Sequence, residues 1–257
     1  MSKEAYFEEE GVELFNGDCL EVLPTLEKES IDLIFADPPY RLSNGGITCK
    51  AGQIALVDKG EWDKSQGFDE DFKFTYKWVK LCRDLLNPNG AIWVSGTSHS
   101  IFQAGYALQA LGFFIMNEIT WYKPNAPPNL SCRYFAHSHE SLIWAKKNKD
   151  AKHTFNYGLM KKWDDRISPS GKQMRSVWNI PLTSLEEKKY GKHPTQKPLE
   201  LLRRVILSSS NERELVLDPF VGSGTTGVIA KKFNRKFIGI DIEKQYCELA
   251  IKRIQAS

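Results

Sequence analysis

The chain has 257 residues, 41% of them hydrophobic, and a net charge of +3, which suits one domain with a sizeable buried core. No apolar stretch is long enough to span a bilayer, and residues 1–10 are polar and acidic, unlike a signal peptide. Five cysteines (Cys19, Cys49, Cys82, Cys132, Cys247), odd in number and never spaced C-x-x-C, argue against a disulfide framework or a zinc site and for a reducing cytoplasm.

Taken in chain order, apolar runs alternate with helix-like stretches, which predicts a mostly parallel α/β sheet. Strands are expected at 12–15, 31–36, 91–95, 113–121, 141–145, 215–217 and 237–241, seven in all. Helices are expected at 69–86, 99–111, 199–209, 225–233 and 243–255. Asn87-Pro88-Asn89-Gly90 reads as a turn leading into the third strand.

Two stretches break the alternation. Residues 41–67 are long, glycine-bearing and without periodicity, as expected of a mobile loop that closes over a site. Residues 125–190 are basic and aromatic, and read as an insertion on the sheet edge. From Lys123 to Lys197 there are 15 Lys and Arg against 6 Asp and Glu, a surplus of 9; the rest of the chain has 20 against 26, a deficit of 6. Such a segment suits a polyanion, although a solvated charged face would look the same. Arg133, Lys146, Lys162, Arg166 and Arg175 are its candidate phosphate contacts, interleaved with rings such as Tyr134 and Trp178.

The chemistry-bearing motifs sit at two expected strand ends. Asp37-Pro38-Pro39-Tyr40 follows the run ending at Ala36 and offers a carboxylate and an aromatic ring. Asp218-Pro219-Phe220-Val221-Gly222-Ser223-Gly224-Thr225-Thr226 follows Leu217, and its glycines permit a tight turn and close approach to a ligand. Asp241 ends the next strand, where an acidic side chain can accept ribose hydroxyls. The loop lacks the G-K-[ST] ending of a nucleoside-triphosphate loop. His137 and His139 have no acidic or cysteine cluster around them, so no metal is expected.

These motifs resemble those of the amino-methyltransferases that act on DNA with S-adenosyl-L-methionine. Asp37-Pro38-Pro39-Tyr40 is similar to their catalytic tetrapeptide, and the Asp218–Thr226 loop to their cofactor loop. Gly17-Asp18, Gly239-Ile240-Asp241 and His193-Pro194-Thr195-Gln196-Lys197-Pro198 also match, in the circularly permuted order of the β group. Aspartate at the head of the tetrapeptide resembles the adenine-N6 enzymes. Ser43-Asn44-Gly45-Gly46-Ile47, Asp58-Lys59-Gly60-Glu61-Trp62-Asp63-Lys64 and Asn129-Leu130-Ser131-Cys132-Arg133-Tyr134 resemble the GATC adenine methylases of restriction-modification systems.

The resemblance implies a Rossmann-like three-layer α/β sandwich, helices on both faces of a mostly parallel seven-stranded sheet, in a single domain carrying a target-recognition insertion. It implies a cofactor site of Asp18, Cys19, Asp37, Lys197, Asp218, Phe220, Gly222, Ser223, Gly224, Thr225, Asp241 and Ile242, with Lys197, Ser223 and Thr225 on the cofactor's carboxylate. It places Trp121 and Lys123 at the base pocket, with core packing and a surface charge as the plainer alternatives. The partner is DNA, either a duplex with a flipped adenine or a single strand, and a homodimer is expected because members of the group often pair.

An exocyclic amine is a poor nucleophile because its lone pair is delocalised into the ring. Asp37 and the Pro38 carbonyl can accept its two N–H donors and favour a pyramidal nitrogen, while Tyr40 stacks on the base. Asp37 either only orients the amine or also takes the departing proton. Cytosine-N4 methylation, a DNA-binding module with a vestigial pocket, and a protein-glutamine methylase are the competing readings. Intact Asp37 stands against the second; Asp37 in place of Asn, with the basic segment, stands against the third.

Overall fold

A computed structural model describes residues 4–43, 45, 47–50, 53–56, 58–163 and 170–257. Asn44 and Gly46 of the GATC-like motif and Arg166 of the basic set lie outside the described residues. The elements are β1 (Phe7–Glu9), β2 (Val12–Asn16), α1 (Cys19–Val22), β3 (Ile31–Ala36), β4 (Ile47–Lys50), β5 (Gln53–Leu56), α2 (Phe68–Leu85), β6 (Leu86–Gly96), α3 (Ile101–Ala110), β7 (Phe114–Tyr122), β8 (His139–Lys146), α4 (Tyr157–Met160), β9 (Val177–Asn179), α5 (Leu199–Ser209), β10 (Leu215–Asp218), α6 (Thr225–Lys232), β11 (Lys236–Asp241) and α7 (Lys244–Gln255).

The main sheet has the order β1-β2-β11-β10-β3-β6-β8-β7-β9. It is parallel from β2 to β6 and turns antiparallel on both sides of β8. Side chains alternate across it as strand geometry requires. Leu33, Phe35, Trp93 and Leu142 enter one core with Leu202, Val205 and Ile206 of α5 and Ile229 of α6. Ile34, Ala36, Val94 and Ile143 enter the other with Trp78 and Val79 of α2 and Ala104 and Leu108 of α3. Strands buried on both faces read as near-continuous apolar runs, which is why the expected strands and helices recur within a few residues.

This layout positions the site. β3 and β10 are parallel neighbours, pairing Leu33 with Val216 and Ile34 with Leu217. The chain leaving β3 runs to α2 on one face, and the chain leaving β10 runs to α6 on the other. The crevice between diverging connections lies at the C-terminal strand ends, directly above Asp37 and Asp218.

Three expectations are corrected. The sheet has nine strands, not seven: β1 and β9 cover its two edges, and each is only three residues long, too short to show a period. The Asn87–Gly90 turn lies within β6 as an irregularity, since Ile31 pairs with Leu86 but Leu33 already pairs with Ala91. Residues 125–190 are not one insertion, because β8 lies inside the sheet between β6 and β7 and β9 pairs with β7.

In the 41–67 stretch the hairpin β4–β5 pairs Ile47 with Leu56. Its base is tied by Asp63, whose carboxylate accepts from the backbone N–H of Arg41 (2.8 Å) and Leu42 (3.1 Å) and from Ser43 Oγ (2.9 Å).

Candidate active site

The crevice holds a cavity of about 310 Å³ lined from both strand ends. On one side are Gly17, Asp18 and Cys19 after β2, the turn after β10, and Asp241 with Ile242 after β11. The turn is held by hydrogen bonds to two carboxylates. Asp218 Oδ1 accepts from Phe220 N–H (3.0 Å) and Oδ2 from Thr226 Oγ1 (2.5 Å). Asp241 Oδ2 accepts from Gly222 N–H (2.7 Å) and Oδ1 from Glu243 N–H (2.9 Å). Burial pushes Asp218 up to about 7 and Asp241 up to about 6, against the pull of those donors. Asp18 Oδ1 caps α1 through Leu20 N–H at 2.8 Å.

Of the expected cofactor residues, Asp18, Cys19, Asp37, Lys197, Asp218, Phe220, Gly222, Ser223, Thr225, Asp241 and Ile242 line this cavity. Gly224 does not. It takes the left-handed conformation (φ +76°) at the head of α6, where an added Cβ would meet Ala250 Cβ at 2.7 Å, so α6 can start against α7 only with a glycine here. Cys19 is buried, and burial raises its thiol well above the usual value, so it is no nucleophile. Gln196 Oε1 lies in the same wall, buried and without a partner. Together with the ribose-suited carboxylate of Asp241 and the apolar Phe220 and Ile242, it fits a polar nucleoside-like ligand.

The other side carries the tetrapeptide. Asp37 Oδ2 accepts from Lys197 Nζ at 2.6 Å; Oδ1 accepts from Tyr40 Oη at 2.7 Å and from Ser95 Oγ of β6. Tyr40 is only 5% exposed, and Lys197 Nζ stands 5.0 Å from its ring centre. Its hydroxyl also lies 3.0 Å from Glu140 Oε2, giving one proton two carboxylates to serve. Glu140, on β8, is in turn held by Lys123 Nζ at 2.5 Å and lies 3.6 Å from Lys197. Burial alone would raise Glu140, but the two ammonium groups and the hydrogen bonds from Lys123 and Tyr40 outweigh it and bring the carboxyl down to about 2. Lys197, 5% exposed, is disfavoured as a cation by burial, yet Asp37 and Glu140 hold it above the usual value. The result is a largely buried cluster of two anions and two cations.

Trp62, in the short 3₁₀ turn Glu61–Asp63, brings the 41–67 stretch over the cofactor side. Its ring stacks on His193 (centroids 6.2 Å apart), and His193 packs edge-on against Tyr246 of α7 at 4.2 Å. An added Cβ on Gly222 would meet the His193 ring at 3.2 Å, so that ring lies directly over the glycine turn, with Trp62 and Tyr246 packed on it. Burial pushes His193 down to about 4, leaving the ring neutral.

The expected DNA contacts divide. None of Trp121, Lys123, Arg133, Lys146, Lys162 and Arg175 lines the cavity. Trp121 is core, 2% exposed with its indole N–H on Ile180 O at 2.7 Å, which is the plainer of its two readings. Lys123 reaches the site only through Glu140. Arg133 lies on the exposed connection that leaves β7 and returns to β8 beside Glu140. Lys146 ends β8 at the opposite edge of the sheet, paired with Ala91, and donates to Ala151 O at 3.0 Å. Lys162 follows α4, which packs on α5, and Arg175 precedes β9.

Glu140, Ser95 and the Trp62–Tyr246 pair were missed. The signal available for Glu140 was a carboxylate at the head of an apolar strand, masked by reading that strand as part of an insertion. Phe135, 97% exposed beside Arg133, was also unremarked. Among the described residues no group of three or more His, Cys, Asp and Glu is arranged to hold a metal, and no helix is long and apolar enough to cross a membrane.

A model of the DNA methylase family matches residues 31–252. The Type II methyltransferase M2.LlaDCHI of Lactococcus lactis subsp. cremoris is 54% identical over 250 residues, covering 97% of this chain and 91% of that protein. The Type II methyltransferase M2.DpnII of Streptococcus pneumoniae is 52% identical over 252 residues, covering 98% and 92%. Among solved structures, an M1.HpyAVI–SAM complex superposes with a TM-score of 0.68 at 30% identity, covering 95% of this chain and 98% of that one.

Proposed function

The chain belongs to the DNA methylase family, and from that premise we propose that it methylates the exocyclic N6 of adenine in DNA, within GATC, as the modification enzyme of a restriction-modification system. The observation that carries this reading is the facing of two strand ends across one cavity: Asp37 and Tyr40 on one side, the Gly222 turn and Asp241 on the other. The methyl donor is S-adenosyl-L-methionine, which supplies, when bound, an electrophilic methyl group on a sulfonium. Asp241 would hold its ribose, Asp18, Phe220 and Ile242 its adenine, and Ser223 and Thr225 its carboxylate.

The chain's own residues prepare the nucleophile. Asp37 accepts one amino N–H and the Pro38 carbonyl the other, which aims the nitrogen lone pair away from those acceptors. Ser95 and Tyr40 fix the carboxylate's orientation through Oδ1. The His193 ring over the glycine turn, with Trp62 and Tyr246 packed on it, excludes water from the donor side. Among the described residues no side chain is placed to form a covalent intermediate, so the nitrogen attacks the methyl directly: the N–C bond forms as the methyl's bond to sulfur breaks, and the nitrogen then loses one proton, to Asp37 or to solvent.

A base inside a duplex cannot reach this crevice, so the adenine is flipped out or taken from a single strand. Arg133 and the exposed Phe135, on the connection beside Glu140, are the side chains that meet the DNA nearest the pocket. GATC rests on the motifs 43–47, 58–64 and 129–134 and on the 52% identity to M2.DpnII. The function is tested by transfer of label from methyl-labelled cofactor to DNA: the wild type should transfer and Asp37→Ala should not, while both bind cofactor. Transfer by Asp37→Ala at the wild-type rate removes Asp37 from the chemistry.

A further inference from the structure

Glu140 stands opposite Trp121 at the first turns of β8, at the same sheet edge as Asp37 and Ser95. Nothing in the family motifs drew it into the site. Its Oε1 is taken by Lys123 at 2.5 Å, and its Oε2 faces Tyr40 Oη at 3.0 Å and Lys197 Nζ at 3.6 Å.

Asp37 has one acceptor site left as it stands, on Oδ2. Oδ1 accepts from Tyr40 and Ser95, and Oδ2 accepts from Lys197. A target amine that donates to Asp37 must share Oδ2 with the Lys197 cation or displace a donor, and the cation draws off the charge that makes Oδ2 a strong acceptor. Ser95 and Tyr40 are neutral and share Oδ1. Lys197 holds Oδ2 as a buried cation, and a buried cation needs an anion wherever it goes. Among the described residues, Asp37 and Glu140 are the carboxylates within 4.0 Å of Lys197 Nζ.

We propose that Glu140 is a positioning residue for methyl transfer: it takes Lys197 over from Asp37 as the target amine arrives, leaving Asp37 Oδ2 to accept the amino N–H. The inference rests on the amine-methylating reading of this site. Lys197 moves about one ångström, from its 2.6 Å contact with Asp37 toward an oxygen now 3.6 Å away. Tyr40, relieved of Glu140 Oε2, gives its single proton to Asp37 Oδ1. Lys123 keeps Glu140 in place throughout by its separate hold on Oε1. No charge leaves the cluster, so the exchange costs little desolvation.

The test compares wild type, Glu140→Gln, Lys197→Met and the double variant in single-turnover methyl transfer with saturating DNA and labelled cofactor. Cofactor affinity and thermal melting are measured in parallel. Glu140→Gln should slow transfer about tenfold or more, equivalent to roughly 1.4 kcal/mol of barrier. Its cofactor affinity should stay within about twofold, because Glu140 lies off the cofactor side. In the Lys197→Met background the same change should add little, since no cation remains to be relocated.

A wild-type rate in Glu140→Gln overturns the proposal. So does a full additional loss in the Lys197→Met background, which would put Glu140's effect through Lys123 or Tyr40. A loss confined to cofactor affinity, as expected if Lys197 moved to the cofactor's carboxylate instead, overturns it as well. Should Glu140→Gln fail to fold, Glu140→Asp keeps the charge but shortens the reach, and it should still be slowed; a wild-type rate there is equally decisive. A wild type that methylates no nucleic acid removes the underlying reading, whereas an active wild type with a fully active Glu140→Gln removes this inference alone.

Discussion

Lys197 Nζ lies 2.6 Å from Asp37 Oδ2, joining two residues 160 positions apart in a pair that is almost closed to water. Lys197 also accepts from Thr225 Oγ1 at its carbonyl (3.1 Å), so one residue connects the tetrapeptide turn to the first turn of α6. Breaking a buried pair on one side costs about 3–5 kcal/mol, and Glu140 at 3.6 Å can absorb part of that for Lys197. Asp37→Ala should therefore melt several degrees below the wild type and still fold. An unchanged melting temperature would mean the pair contributes nothing to stability.

Trp62 is the contact by which the 41–67 stretch reaches the cofactor side. An aromatic pair contributes about 0.5–1.5 kcal/mol beyond its area. Trp62→Ala should weaken cofactor binding up to about tenfold by calorimetry. Its effect on the melting temperature without cofactor should be small, because Trp62 packs on His193 at the rim and not in either core.

Arg133 and Lys146 looked equivalent in the sequence and are separated by the length of β8. Removing a phosphate contact lowers the slope of log affinity against log salt by about one. Arg133→Ala should show that reduction, and Lys146→Ala should leave the slope at the wild-type value. The reverse pattern would place DNA on the opposite edge of the sheet.

Asp218 should leave a signature in the pH dependence of stability. Its folded value of about 7 lies above the ordinary 3.8, so the folded state holds the proton more tightly than the unfolded one. The stability this contributes is complete below about pH 4 and is lost as pH rises through about 7. Asp218→Asn removes the titration and can keep the acceptor for Phe220 N–H. The melting temperature of the wild type relative to Asp218→Asn should fall steadily from pH 4 to pH 8; a constant difference would show that Asp218 is not perturbed.

The two motifs were legible because each is local: a strand, a turn and the first residues beyond it lie within ten positions. The helices that cover the sheet were legible for the same reason, by their apolar period. Glu140 was not legible. Its role depends on β8 entering the sheet antiparallel between β6 and β7, and that pairing is set by chain far from either motif. β1 and β9 were missed because three residues at a sheet edge carry too little pattern. Trp121 and Gly224 sit beside functional residues in sequence, and packing sets both positions in the fold.

The central claim is tested most directly by product identification after incubation with labelled S-adenosyl-L-methionine. The substrates are oligonucleotides bearing GATC, single- and double-stranded, and matched ones in which that sequence is scrambled. The account predicts N6-methyladenine within GATC, and none in the scrambled set. N4-methylcytosine as the product, or transfer to DNA lacking GATC but not to GATC, would contradict it.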